Sequence, residues 1–174
     1  MRLFVAINFS NEVKDALCET IAELRAAALR GRYTARENLH LTLAFIGESN
    51  RPEDVLKAME AVAAEAPLET LDITLSDAGV FGGRGGDLHW VGVTHTPELE
   101  SLAARLADAL RAKGFAVARN RFTPHVTIGR QVVLAAGAGI RARPAHMQAA
   151  GLSLMRSDRL CGRPVYTEIG FAPF

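Results

Sequence analysis

The sequence runs through the same order of elements twice, and this repetition restricts the fold more than any single motif does. In the first pass "RLFVAINF" is a short apolar run suited to a buried strand. Ser10 then offers an N-cap for a helix to about Arg30, with Val13, Leu17, Ile21 and Leu24 at helical spacing and Gly31 placed to end it. The histidine-bearing stretch "LHLTLAFIGE", Leu39 to Glu48, follows. In the second pass "LHWVGV" is the strand, and Thr96-Pro97 gives a cap and first turn. Leu99, Leu102, Leu106 and Leu110 share one helix face, Gly114 ends the helix, and "PHVTIGR", Pro124 to Arg130, carries the second histidine. Phe4 to Trp90 and Ile7 to Val93 are both 86 residues apart, and His40 to His125 is 85. A single domain over residues 1–174 is expected, with an approximate internal duplication of 1–85 and 86–174.

Successive side chains of an extended strand point to opposite faces. Leu39, Leu41, Leu43 and Phe45 are therefore expected on the core face of the first strand, with His40, Thr42 and Ala44 on the other. In the second strand His125 and Thr127 share a face opposite Val126 and Ile128. One His-x-Thr is weak evidence, because a partly exposed strand often carries both residues. With five His and ten Thr, random placement gives roughly 0.3 such matches, so two of them inside equivalent repeats point to one shared site. An approximate two-fold sets the two polar faces on opposite walls of one cleft.

The rest of the chain supplies connections. Pro52 begins a helix with Val55, Met59, Val62 and Ala66 on one face, stopped by Pro67. "LDITLSDAGVF" alternates like a strand, and Gly82 to Gly86 ("GGRGG") reads as a mobile loop, since the Walker and dinucleotide patterns are absent. From Gln131 onward the pattern fits neither period and a loop or short helix is expected, before closing strands at "LSLM" and "PVYTEIGF".

A length of 174 residues with 49% hydrophobic and 22% charged residues suits one packed domain. The net charge of +1 excludes strong global attraction to nucleic acid or acidic membranes, so any basic attraction must be local. Arg119, Arg121 and Arg130 gather around the second motif, as a solvated face or an anion site. Cys18 and Cys161 have no spacing that suggests a metal site or a disulfide framework, and are expected as packing residues in a reducing compartment. The start "MRLFVAINFS" lacks the pattern of a secretory signal, and no apolar run is long enough to span a membrane, so a cytoplasmic protein is expected.

Two histidines suit phosphodiester cleavage. One neutral imidazole activates the nucleophile and one protonated imidazole supplies the leaving oxygen with a proton, both near neutral pH. Thr42 and Thr127 can donate to non-bridging phosphate oxygens, and Arg130 can add a charge-assisted contact. No metal or cofactor is called for. A zinc site lacks a third ligand at recognisable spacing, and His89, His95 and His146 share no pattern with the pair, so these three are expected to be surface or incidental. A serine-hydrolase elbow is also missing.

Over nearly its whole length the sequence resembles the two-histidine (2H) phosphoesterase superfamily, and within it the RNA 2′,3′-cyclic phosphodiesterases, formerly called 2′-5′ RNA ligases. The resemblance rests on "RLFVAI", "ENLHLTLAFIGE", "GVFGG", "RFTPHVTIGR" and a terminal segment around Ser157, Gly162 and Tyr166. It implies an α+β fold of two pseudo-symmetric lobes, each an antiparallel sheet backed by helices, with the active cleft between them. It further implies metal-independent hydrolysis of a terminal 2′,3′-cyclic phosphate on RNA to a 2′-phosphomonoester. His40 would be the proton donor and His125 the proton acceptor, an assignment that the two-fold leaves open and only the resemblance decides. Thr42, Thr127 and Arg130 would bind the phosphate. Tyr33 departs from a common tryptophan, and Gly86-Asp87 replaces a common Pro-Arg, which weakens the expected grip on the RNA chain unless Arg84 compensates. The expected partner is an RNA or oligonucleotide with a cyclic phosphate end, bound by a monomer without a membrane. The alternatives are 2′-5′ RNA ligation at the same site and a non-catalytic module that binds RNA ends or nucleotides.

Overall fold

The computed structural model describes residues 1–66 and 69–174; Pro67, the expected stop of the second helix, lies outside the described residues. The elements in chain order are β1 (Arg2–Asn8), α1 (Asn11–Ala27), β2 (Ala28–Tyr33), β3 (His40–Glu48), α2 (Pro52–Glu65) and β4 (Leu71–Phe81). These are followed by β5 (Asp87–Val93), α3 (Pro97–Ala112), β6 (His125–Leu134), β7 (His146–Ala149), β8 (Gly151–Leu160) and β9 (Arg163–Pro173). A 3-10 turn at Arg36–Asn38 leads into β3.

Local signals set most helix ends. The Ser10 side chain accepts from the Val13 N–H and caps α1, and Thr96 does the same for α3 through Leu99 N–H. Gly114, at φ +84°, closes α3 in the left-handed conformation that glycine adopts without strain. The first helix departs from expectation. It stops at Ala27, because the chain turns extended at Ala28 and pairs as β2 along β6. Gly31 therefore lies inside a strand, where a Cβ would sit 3.0 Å from both Tyr33 and Val132.

The fold is α+β, with two antiparallel sheets in the orders β3-β1-β8-β9 and β2-β6-β5-β4-β7. With β2 set aside, the orders correspond strand for strand: β3 to β6, β1 to β5, β8 to β4 and β9 to β7. Each sheet takes strands from both halves of the chain, so neither closes without the other. α2 and α3 pack together and cover the first sheet, while α1 covers β2 and β6 of the second. The inner faces share one core that includes Leu3, Val5, Ile7, Leu41, Val91, Val93, Val126 and Ile128. At about 25 cal/mol per Å² of apolar surface, this burial is the main force that holds the sheets together. A second, smaller cluster of Phe4, Ala6 and Met155, joined by Tyr166, lies on the opposite face of the first sheet.

An extra residue in each histidine strand alters the expected faces. Val5 pairs with Ala44 and Ala6 with Thr42, while His89 pairs with Gly129 and Trp90 with Thr127. In both cases neighbouring residues of one strand meet residues two apart on the other, which is a β-bulge. Leu43 and Ala44 consequently both face the core, and Phe45, expected there, turns outward at 60% exposure beside Phe4. The pairing also matches Ala6 with Trp90 and Asn8 with Gly92, two residues away from the equivalence that the spacing of 86 suggests.

Three further expectations change. After Gln131 the chain continues as strand to Leu134, then forms a loop and the short edge strand β7, paired with Leu71 to Thr74. No helix forms there, because β4 offers an open edge. Cys18 packs against the core, whereas Cys161 is exposed in the tight β8–β9 turn at φ +50°. His95 and His146 are at the surface beside Glu100 and Asp72, but His89 is 2% exposed, and neither of its ring nitrogens has a hydrogen-bond partner among the described residues.

Burial pushes the His89 pKa below its ordinary value, and the charge of Asp87 opposes this only in part. The unfolded chain takes up this proton near pH 6.5 and the folded chain only at lower pH, so stability falls as the pH drops below about 6.5. His89→Leu is expected to raise stability by about 1 kcal/mol at neutral pH, by removing unsatisfied polar atoms. It should also flatten the fall of Tm between about pH 6.5 and 5, read by thermal melts. An unchanged slope would show that the ring is not the source.

Candidate active site

Each histidine is held by the carbonyl two residues before it. His40 Nδ1 lies 2.7 Å from the Asn38 carbonyl oxygen, and His125 Nδ1 lies 2.7 Å from that of Thr123. A carbonyl only accepts, so Nδ1 carries the hydrogen in both neutral rings and Nε2 is the nitrogen without one. The Asn38 anchor is itself fixed. Its residue is buried in the 3-10 turn, and its amide donates to the Pro164 carbonyl at 2.9 Å. On the other strand, the Thr34 hydroxyl donates to the Thr127 carbonyl at 2.9 Å and holds β6 against the segment after β2.

His40 and Thr42 share a face of β3, and their Nε2 and Oγ1 atoms are 2.9 Å apart. In neutral His40 this contact runs from the threonine hydroxyl to the bare nitrogen. His125 and Thr127 share a face of β6, opposite Gly92 and Trp90 of β5. Strict alternation after Thr127 would send Arg130 to the core side with Val126 and Ile128. The bulge at Ile128 and Gly129 returns it to the face of His125 and Thr127, where it is exposed. Arg119 and Arg121 are exposed in the segment before β6 and form no ion pair among the described residues.

β3 and β6 lie against each other, and the Arg130 charge on the second strand is felt by His40 on the first. Burial lowers the His40 pKa, the bond to Asn38 opposes that fall, and Arg130 lowers it further. Free His40 is therefore a weaker base than an ordinary histidine.

Aromatic rings wall both histidines, and sequence patterning did not single them out for this role. Phe4 and Tyr166 lie 4.9 and 5.2 Å from the His40 ring, the tyrosine edge-on at 89°. Phe81 and Trp90 lie 5.6 and 6.3 Å from the His125 ring. The available signal was the alternation of β1 and β5, which sets Phe4 and Trp90 on the faces opposite Leu3, Val5, Val91 and Val93. Trp90 in turn rests on Gly79, where a Cβ would come within 2.0 Å of the indole. Of the two departures from the resembled family, Tyr33 packs on the core under Arg25, 4.8 Å from its ring. Gly86, at φ +133°, lies against the Gln131 backbone, where a Cβ would come within 2.5 Å. No side chain is accommodated there.

These contacts make Gly79 a support of the site. Gly79→Ala is expected to displace the sole tryptophan, shift its fluorescence emission and destabilise the protein by about 1–3 kcal/mol. An unchanged emission spectrum would contradict the packing.

A family model described as the 2′-5′ RNA ligase superfamily matches residues 13–159. The chain is 31% identical over 131 residues to the RNA 2′,3′-cyclic phosphodiesterase of Thermotoga maritima, which spans 75% of this chain and 70% of that protein. With the RNA 2′,3′-cyclic phosphodiesterase of Escherichia coli K12 it shares 33% identity over 133 residues, 74% of this chain and 71% of the relative. The crystal structure of E. coli LigT complexed with 3′-AMP has the same fold, with a TM-score of 0.77 and 29% identity, covering 99% of this chain and 97% of that one.

Proposed function

The chain belongs to the 2′-5′ RNA ligase superfamily, and from that membership we propose that it opens 2′,3′-cyclic phosphate ends of RNA, with His40 and His125 as its acid–base pair. It is a phosphoric diester hydrolase of the RNA 2′,3′-cyclic phosphodiesterase type, as its relatives are named. The observation that carries the reading is the pair of Nδ1–carbonyl bonds, which puts the hydrogen of each neutral ring on Nδ1 and leaves Nε2, which in His40 accepts from Thr42, as the atom that can exchange a proton.

In this reading Nε2 of His125 takes a proton from water as the water oxygen bonds to phosphorus. The bond from phosphorus to the ribose 3′ oxygen breaks on the opposite side, and protonated Nε2 of His40 supplies that oxygen with a proton. The 2′ ester bond survives, so the product is a 2′-phosphomonoester. Thr42 and Thr127 donate to the non-bridging oxygens, and Arg130 compensates their charge. The arriving phosphate places a negative charge beside His40, and this raises its proton affinity against the effects of burial and Arg130. The cyclic end is held by a monomer. The matching orders of β3-β1-β8-β9 and β6-β5-β4-β7 support a single domain with an internal repeat.

The test is a short RNA with a 2′,3′-cyclic phosphate end, incubated in EDTA. Wild type is expected to yield only the 2′-phosphate, and His40→Ala and His125→Ala to lose about 10²–10⁴-fold in rate. RNA bound but never opened would sink the hydrolase reading and favour a binding module.

The pH dependence follows from the free enzyme. Protonated His40 is lost as the pH rises through a value below about 6.5, so the basic limb of kcat/KM should have its midpoint there. Arg130→Gln removes a neighbouring positive charge. It should move that limb to higher pH while costing about 10²–10³-fold in rate. A limb that stays in place would separate Arg130 from His40.

A further inference from the structure

Beside the histidine cleft lies a cavity of about 320 Å³, lined by Arg32, Arg130, Phe81, Leu88 and the glycine-rich β4–β5 loop. It adjoins His125 through Phe81, whose ring meets the imidazole edge-on at 5.6 Å. Arg32 and Arg130 stand directly opposite each other on β2 and β6. Like charges in that position repel, and such pairs weaken a sheet. Neither arginine takes part in an ion pair among the described residues, although Asp and Glu number 19 in the chain. The cavity floor brings backbone together at Gly86 and Gln131, the latter at φ +52° in a region sparsely used by residues other than glycine. Two guanidinium groups without an ion-pair partner among the described residues, lining one open cavity, suit an anion. Phe81, 45% exposed at its rim, offers a ring face for a base.

We propose that this cavity is a second phosphate site, in which Arg32, opposite Arg130, holds the phosphodiester on the 5′ side of the nucleotide whose cyclic phosphate is opened. The inference rests on the hydrolase reading and adds its substrate class. A cyclic phosphate ends a strand at its 3′ side, so the neighbouring phosphate lies only to the 5′ side. A cyclic mononucleotide has no such group. The site therefore selects RNA chains over mononucleotides, and Arg32 acts as a positioning residue for the chain.

The experiment compares kcat/KM on a tetranucleotide ending in a 2′,3′-cyclic phosphate with that on a nucleoside 2′,3′-cyclic phosphate, for wild type, Arg32→Gln and Arg32→Lys. Wild type is expected to prefer the tetranucleotide. Arg32→Gln should lower the tetranucleotide value about 10-fold more than the mononucleotide value and reduce its salt slope by about 1, with Arg32→Lys restoring part of both. Equal losses on the two substrates, or no loss on either, would overturn the second site while leaving the hydrolase reading intact. Failure of wild type to open either substrate strikes the hydrolase reading itself.

Discussion

Each histidine strand buries one face and carries its histidine and threonine on the other, and a single inserted residue sets which face the following side chains take. Without the bulge at Leu43 and Ala44, Phe45 would point into the core; without the one at Ile128 and Gly129, Arg130 would. A guanidinium buried there would have no partner, at a cost of several kcal/mol. The bulge lets Ile128 fill the core at full burial while the next side chains change face. Core packing and cleft electrostatics are thus set by the same irregularity.

The two copies of that strand are alike in backbone and unlike in charge. Phe45 and Arg130 stand at equivalent places after the paired threonines, so one wall of the cleft ends in an aromatic ring and the other in a cation. His40 sits under Phe4 and Tyr166 and is lowered in pKa by burial and by the cation across the cleft. A symmetric pair of imidazoles gives no direction to proton transfer. In the proposed reaction the unequal surroundings supply one, because burial and the nearby Arg130 charge lower the proton affinity of His40.

What the sequence made legible was local. Ser10 and Thr96-Pro97 mark helix starts because their side chains bond only a few residues away. The paired His-x-Thr stretches were visible because alternation needs no partner strand. The end of α1 at Ala27, the outward turn of Phe45 and the burial of His89 all depend on what β6, β1 and β5 do elsewhere in the chain. Tertiary pairing overrode the glycine signal at Gly31, as it does when an open sheet edge lies within reach. The aromatic walls were equally non-local, since Tyr166 joins Phe4 only through the pairing of β8 with both β1 and β9.

Gly86-Asp87 stands where the resembled family often has Pro-Arg, and the fold shows what the replacement does to the loop. Asp87 accepts from the Gly83 N–H and closes the glycine loop, while Gly86 lets the loop lie directly on the Gln131 backbone. Arg84 stands exposed in the loop itself, whereas Arg32 lies on a paired strand. A loop drawn onto β6 leaves the cavity between Arg32 and Arg130 open instead of filling it with a side chain. Positive charge near the cleft is therefore carried by paired strands, whose positions the sheet fixes, where a charge on the loop would depend on the loop's own order.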